Sequence, residues 1–167
     1  MKCLSHQSLI LFSVGLLTTT HQIQASSSLE QDPNLYRHYY AAHEIQTYQS
    51  DTKQWSTEQA SDCLSLTQGP NHTVQFSLVL FATNSHVCAM EGSGIWVGDT
   101  IRYLPTPEVR EEAPNCELEI NVTQDDISLS DIGGACREFY CGIKANIDQA
   151  RFIRTHTTEQ ECRLVND

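Results

Sequence analysis

The chain has 167 residues, of which 21 are acidic and 10 are basic, so its formal net charge at pH 7 is −11. This charge makes nucleic acid and anionic membrane surfaces poor candidate partners, because binding to phosphate needs clustered Lys and Arg. A cationic protein is the partner that the charge favours, since a negative field raises the encounter rate of positive molecules.

The first 25 residues have the pattern of a secretory signal peptide. Lys2 supplies a short positive region, an apolar run covers residues 9–17, and Ala25 ends a small-residue cleavage site. The apolar run is about half of the roughly 20 residues that a membrane-spanning helix needs, so an anchor is the weaker interpretation. Residues 1–25 are therefore predicted to be removed, and the mature protein is predicted to be periplasmic or secreted and to have no membrane span.

Removal of residues 1–25 would leave 9 basic and 21 acidic side chains, a net charge of −12, and six cysteines. An even number of cysteines in a secreted domain predicts three disulfides, whose pairing the sequence leaves open. A Cys116–Cys136 link would close a loop of about 20 residues and contribute roughly 3 kcal/mol. The chain has no CxxC pair, so neither a metal nor any other cofactor is predicted. The six are Cys63, Cys88, Cys116, Cys136, Cys141 and Cys162.

Residues 26–60 are predicted to form an N-terminal arm or a short helix. Asp32 is a good helix N-cap, Pro33 suits the first helical position, and apolar residues, tyrosines and His43 follow at helical spacing. The same tyrosines also suit an extended segment. Residues 49–59 are too polar to belong to a core.

Residues 61–167 are predicted to form a disulfide-linked β-domain. Short strands are indicated at residues 63–66, 73–82, 86–91 and 99–104, separated by turns rich in Gly, Pro and Asn. Gly92, Gly94 and Gly98 flank residues 95–97 and fit a bulge or a sharp bend. Residues 105–114 then predict an exposed acidic loop.

Residues 115–154 predict a ladder of consecutive strands. Apolar and polar residues alternate over residues 116–122, again over residues 127–131, and a third time over residues 143–147, with Gly133-Gly134 between. The whole chain reads as six to eight strands with no strong helix after residue 60. The predicted fold is mainly β, a small antiparallel barrel or sandwich, with closure favoured because it removes exposed edges.

No catalytic constellation is evident, and the chain is predicted not to be an enzyme. His43-Glu44 lacks the second histidine of a zinc helix, because position 47 is Thr. His86 and Cys88 could form a thiol and histidine pair, although a cysteine in an even secreted set is more often half of a disulfide. Turn chemistry explains Asp125, Asp126 and Asp131 more simply than calcium binding does. Glycosylation sequons are present at Asn71 and Asn121.

Four segments, CAME from Cys88, CELEI from Cys116, CREFYCG from Cys136 and ARFIR from Ala150, resemble small periplasmic bacterial proteins with a disulfide-linked β-domain. The architecture is also similar to that of bacterial lysozyme inhibitors, which insert loop residues into the lysozyme cleft. Their Ser-Gly loop has a partial counterpart in Ser93-Gly94.

The leading hypothesis is a secreted or periplasmic protein-binding module. Its expected activity is inhibition of a cationic hydrolase such as lysozyme. Trp96 would be its aromatic anchor. The alternatives are a small-ligand-binding barrel, a structural envelope protein, and a hydrolase assembled only by the fold. An interior filled by Phe76, Leu78, Leu118 and Ile120 would exclude the ligand carrier. The candidate binding residues are Ser93, Gly94, Trp96, Glu108, Glu111 and Glu112.

Overall fold

The computed structural model describes residues 28–141, 145–148, 150–160 and 162. The predicted signal peptide, which includes Cys3, lies outside this part of the chain. The strands are β1 (His38–Gln49), β2 (Gln54–Gln68), β3 (Thr73–Ala82), β4 (His86–Val97), β5 (Thr100–Leu104), β6 (Glu117–Val122), β7 (Asp126–Ile132), β8 (Arg151–Ile153) and β9 (Thr157–Thr158). The helices are α1 (Pro107–Glu112) and α2 (Ala135–Tyr140), and a 3-10 turn covers Thr83–Ser85. Neither α1 nor α2 is long and apolar enough to cross a membrane.

The nine described strands form one curled antiparallel sheet in the order β8-β7-β6-β5-β4-β3-β2-β1-β9. Each strand from β1 to β8 pairs with its neighbour in sequence, so the sheet is a meander that curls into a half-barrel. Alternate residues point to the concave side, as the period-two pattern of apolar residues in β3 and β6 requires. The predicted mainly β fold is confirmed.

A short segment joins the two edges of the sheet. Strand β8 pairs with β7 at one edge and β9 pairs with β1 at the other, and only residues 154–156 separate them. Arg154, whose side chain is 10% exposed, forms an ion pair with Asp32. Its guanidinium also donates to the carbonyl oxygen of Thr123 at 3.0 Å. This arginine and residues 154–156 therefore tie the two edges of the curled sheet together.

The three disulfides are nested within one another. Cys116–Cys136 spans 20 residues and lies inside Cys88–Cys141, which spans 53. Both lie inside Cys63–Cys162, which spans 99 residues. Oxidation of the six cysteines and the 20-residue loop are confirmed, and the outermost bridge ties the C-terminal segment to β2.

Of the two alternatives for residues 26–60, the helix is wrong and the extended segment is what the structure shows. Asp32 does accept a hydrogen bond from the backbone N–H of Asn34 at 2.9 Å, but this stabilises a turn. From His38 the chain is a strand, paired with β2 along its whole length. Tyr39 is fully buried opposite Leu64, so tertiary pairing of tyrosines with good β propensity overrides the helical spacing. The polar residues 49–59 are largely exposed, yet the strand β2 begins within them at Gln54.

Two short helices interrupt the predicted strands and loops. Helix α1 begins after Thr106, whose hydroxyl caps the N–H of Val109, within the residues predicted to be a loop. Helix α2 is capped by Asp131, which accepts from the N–H of Cys136 at 3.1 Å and of Arg137 at 2.7 Å. The third predicted strand of the ladder is wrong in its described part: Ala145 and Ile147 are buried and Asn146 is exposed, as the alternation predicts, but none of the three lies in a strand. Ile143 lies outside the described residues.

Two carboxylates couple closure of the sheet to pH. Hydrogen bonds from the backbone of Asn34 and from Arg154 lower the pKa of Asp32. A hydrogen bond from Arg151 lowers the pKa of Asp126. Because both folded-state pKa values lie below the unfolded value of about 4, this stabilisation is fully present above that pH and is lost as the pH falls through the folded-state values.

We therefore expect the urea midpoint of the oxidised protein to fall as the pH drops below about 4. The Asp32→Asn, Asp126→Asn double variant should be less stable than the wild type at pH 6 and should lose less stability over the acid range. Circular dichroism at several pH values would measure both. Parallel acid profiles of the two proteins would show that these carboxylates do not carry the effect.

Candidate functional site

The predicted residues Ser93, Gly94 and Trp96 lie within strand β4 and not in a loop. The Ser93 hydroxyl donates to the Gln75 side chain at 2.9 Å. A Cβ on Gly94 would lie 2.5 Å from a side-chain atom of Ile101, so this glycine serves the close approach of β4 and β5. Trp96 is partly buried against the core, and its indole nitrogen is buried. These residues belong to the body of the sheet, and an exposed anchor at Trp96 is not seen.

The predicted glutamates Glu108, Glu111 and Glu112 all lie exposed on α1. Hydrogen bonds from its own backbone N–H and from Thr106 lower the pKa of Glu108. Ser93 pairs with Leu104 at the end of β5 that leads towards α1, whereas Trp96 pairs with Ile101 farther along that strand. Trp96 therefore lies at the end of β5 that is farther from α1.

Cys88 is bonded to Cys141, as the preferred disulfide interpretation predicts, so it has no free thiol to pair with His86. His38 and His43 have different partners. The Nδ1 atom of His38 lies 2.6 Å from the hydroxyl of Ser65, and Nε2 of His43 lies 3.1 Å from the carbonyl oxygen of Phe81. The two histidines therefore have separate partners and lie on opposite faces of β1.

Side chains fill the concave side of the sheet. The four residues chosen to test for a ligand-carrying interior are all buried in one core cluster. This packing supplies no observation in favour of a small-ligand carrier. The four are Phe76, Leu78, Leu118 and Ile120.

The surface that the sequence did not indicate is the outward face of the hairpin formed by β1 and β2, here called the hairpin face. It carries every second residue of each strand, from Tyr40 to Tyr48 and from Trp55 to Cys63. Tyr48 and Trp55 are direct cross-strand partners at its tip, with ring centroids 5.4 Å apart. They are 44% and 54% exposed, so both rings are offered to solvent beside each other.

Polar side chains order the middle of the hairpin face. The Gln46 amide donates to the hydroxyl of Thr57 at 2.8 Å, and the Gln59 amide donates to Glu44 at 3.2 Å. Within residues 40–48 and 55–63, all of which the structure describes, Glu44 is the one charged residue on this face. The hairpin face therefore carries a single charge.

A groove of about 560 Å³ adjoins the base of the hairpin face. Tyr40, Ser61 and Cys63 line it from the hairpin, and Val79 and Phe81 line it from β3. Its other wall belongs to the segment that follows β8. The hairpin face therefore runs from a partly apolar groove to an exposed aromatic tip.

The alternation of residues in β1 and β2 could have revealed this face. Tyr40, Tyr48 and Trp55 fall on one side only when the turn at residues 50–53 sets Gln49 opposite Gln54. The polarity of residues 49–59 obscured that register, since such a stretch is also typical of loops.

Fold and surface together define a small, disulfide-linked antiparallel β-module with one aromatic and weakly charged face. The chain matches no family model, no curated protein and no solved structure.

Proposed function

We propose that the chain is a secreted protein-binding module and that the hairpin face is its contact surface. The observation that carries this proposal is the exposed Tyr48 and Trp55 pair on a face with a single charge. The centres of protein interfaces are enriched in Tyr and Trp and depleted in Glu, Asp and Lys. Trp and Tyr are also enriched among the few residues that contribute most of the binding energy.

Anchoring of the hairpin supports the same proposal. The backbone N–H of Tyr48 donates to the Asn84 side chain at 2.7 Å, which ties the tip to the 3-10 turn between β3 and β4. The Asp62 carboxylate accepts from the N–H of Phe81 at 2.8 Å at the base. A surface held in place before binding loses less conformational entropy when a partner docks.

The partner proposed is a cationic protein, and a hydrolase such as lysozyme is the first candidate. The net charge of −11 attracts such a partner, while Glu44 is the one carboxylate on the hairpin face that binding would have to desolvate. A narrow two-stranded hairpin with an aromatic tip also has a shape suited to entering a cleft. The three disulfides support an oxidising compartment, as secretion would require.

Titration of lysozyme with the oxidised protein tests this proposal. We expect binding and loss of lysozyme activity at about 10 mM salt, where charges act over roughly 30 Å, and weaker binding at 150 mM. Absence of both binding and inhibition at the lower salt concentration would contradict lysozyme as the partner.

A variant of α1 separates long-range attraction from direct contact. Changing Glu108, Glu111 and Glu112 to Gln should slow association at low salt and leave the dissociation rate unchanged, because these residues lie off the hairpin face. Faster dissociation of this triple variant would place the contact on α1 instead.

A further inference from the structure

A row of polar side chains crosses the outer side of the sheet, next to the base of the hairpin face. Strand pairing sets His38 of β1 opposite Ser65 of β2 and sets Ser65 opposite Ser77 of β3. Glu91 of β4 follows, opposite Ser77. These four residues, here called the polar row, bring a histidine, two hydroxyls and a carboxylate together at a distance from the aromatic tip.

The hydroxyl of Ser65 directs its proton at His38. The N–H of Cys162 donates to Oγ of Ser65 at 3.2 Å, so this oxygen acts as an acceptor on that side. Its other partner is Nδ1 of His38, at 2.6 Å. A neutral imidazole with its proton on Nε2 accepts at Nδ1, so the proton of the Ser65 hydroxyl lies between Oγ and this nitrogen. A serine hydroxyl hydrogen-bonded to a basic histidine nitrogen is the arrangement that activates serine as a nucleophile.

A pocket of about 270 Å³ gives access to both groups, because His38 and Ser65 both line it. Ser65 is only 8% exposed, so its hydroxyl is reached through the pocket and not from open solvent. The volume corresponds to about nine water molecules, which suits a small ester and not a long acyl chain. Among the described residues that line the pocket, Glu91 is the one carboxylate and none is Lys or Arg. A neutral substrate is therefore favoured over an anionic one.

The same pocket contains donors for the oxyanion that forms when an ester carbonyl is attacked. The side-chain oxygen of Gln75 accepts from Ser93 at 2.9 Å, which leaves the NH₂ group of Gln75 as a donor. Gln75 is the diagonal neighbour of Ser65 across the strand pair, a separation that long side chains can span. The N–H of Cys162 is already adjacent to the attacking oxygen. Amide side chains and backbone N–H groups are the usual components of an oxyanion hole.

We propose that Ser65 and His38 form a catalytic pair that hydrolyses small neutral carboxylic esters. Oγ of Ser65 bonds to the carbonyl carbon while its proton passes to Nδ1 of His38. The bond between this carbon and the ester oxygen then breaks, and the leaving alcohol takes that proton. Water attacks the resulting acyl-serine and gives a proton to Nδ1, which returns it to Oγ as the carboxylic acid leaves. This activity is additional to binding at the hairpin face and does not depend on it.

Ser77 is a matched control for Ser65. The two serines are direct cross-strand partners and line the same pocket. Both also hold Cys162, since Ser77 donates to its carbonyl oxygen at 2.9 Å. The hydrogen bond from His38 distinguishes them, because it is made to Ser65. A purely structural role in holding Cys162, or unspecific modification of serines, would treat the two residues alike, whereas the proposed pair reacts at Ser65 alone.

Labelling of the full oxidised protein with an ethyl fluorophosphonate probe tests the proposal. Attack by Oγ of Ser65 forms an O–P bond and releases fluoride, so we expect one probe per chain, mapped to Ser65 by peptide mass. Ser77→Ala should be labelled within about threefold of the wild-type rate, and Ser65→Ala should not be labelled. No labelling at millimolar probe, or labelling of Ser77 at a similar rate, would overturn the proposal.

Loss of the base and measurement of ester turnover complete the test. His38→Ala should slow both the labelling of Ser65 and the hydrolysis of p-nitrophenyl acetate by about 100-fold or more. Added imidazole should restore part of both rates by replacing the missing ring, which a variant that is inactive through misfolding would not allow. Labelling of His38→Ala at the wild-type rate, no effect of imidazole, or acetylation of Ser65 without release of acetate would overturn the proposal.

Discussion

Replacement of both Cys63 and Cys162 by Ser is expected to lower the free energy of unfolding by about 4 kcal/mol. This bridge spans 99 residues, but the Cys88–Cys141 bridge nested inside it shortens the loop that it closes to about half of that length. Loop entropy rises only slowly with length, so the loss remains large. The change would also release the segment after β9, which Ser77 holds by donating to the carbonyl oxygen of Cys162 at 2.9 Å.

The Cys116→Ser, Cys136→Ser variant is the matched control. It opens the innermost loop of 20 residues and should cost about 3 kcal/mol. Urea unfolding of both double variants, with intact mass used to verify the remaining two bridges, measures the difference. A larger loss for the inner bridge would show that nesting does not govern the ranking.

Replacement of Trp55 by Ala is expected to weaken binding of the cationic partner by about 30-fold or more, which corresponds to roughly 2 kcal/mol. Trp55 is 54% exposed in the free protein, so much of its ring is free for a partner to cover. Removing it should lower the unfolding free energy by no more than about 1 kcal/mol, the contribution of a cross-strand aromatic pair. Tyr48→Ala should act in the same direction, because its ring supports the indole across the strand pair.

Phe139→Ala is the control for exposed aromatic surface. Phe139 is 40% exposed on α2, away from the hairpin, and contacts the ring of Tyr140. We expect less than a threefold change in the dissociation constant, measured by calorimetry beside Trp55→Ala. A greater loss for Phe139→Ala would move the contact surface to the side of α1 and α2.

The strands of the sheet could be predicted from the sequence where one face is buried and the other faces solvent. Strands β3 and β6 show this alternation directly, and their register follows from it. The hairpin of β1 and β2 could not be predicted in this way. Much of it is polar on both faces, so Asp32-Pro33 and the spacing of its tyrosines favoured a helix until pairing with Leu64 was known.

The short helices and the binding surface depend on contacts between distant residues. Helix α2 needs the Asp131 carboxylate, which comes from the end of β7, as its cap. Trp96 and Trp55 are the same type of residue. Only the register of each strand shows that Trp96 packs against the core and that Trp55 is exposed to solvent. The acidic residues of α1 were correctly expected to be exposed, and their part in binding stays a prediction.

Fluorine NMR of the protein labelled with 5-fluorotryptophan tests the central claim most directly, because the chain has two tryptophans. A Trp96→Phe variant assigns the signals, and an unlabelled cationic partner adds none. On addition of lysozyme, or of another cationic protein shown to bind, we predict that the Trp55 signal shifts and loses its sensitivity to solvent isotope while the Trp96 signal stays in place. Saturated binding with an unchanged Trp55 signal would contradict the hairpin face as the contact surface.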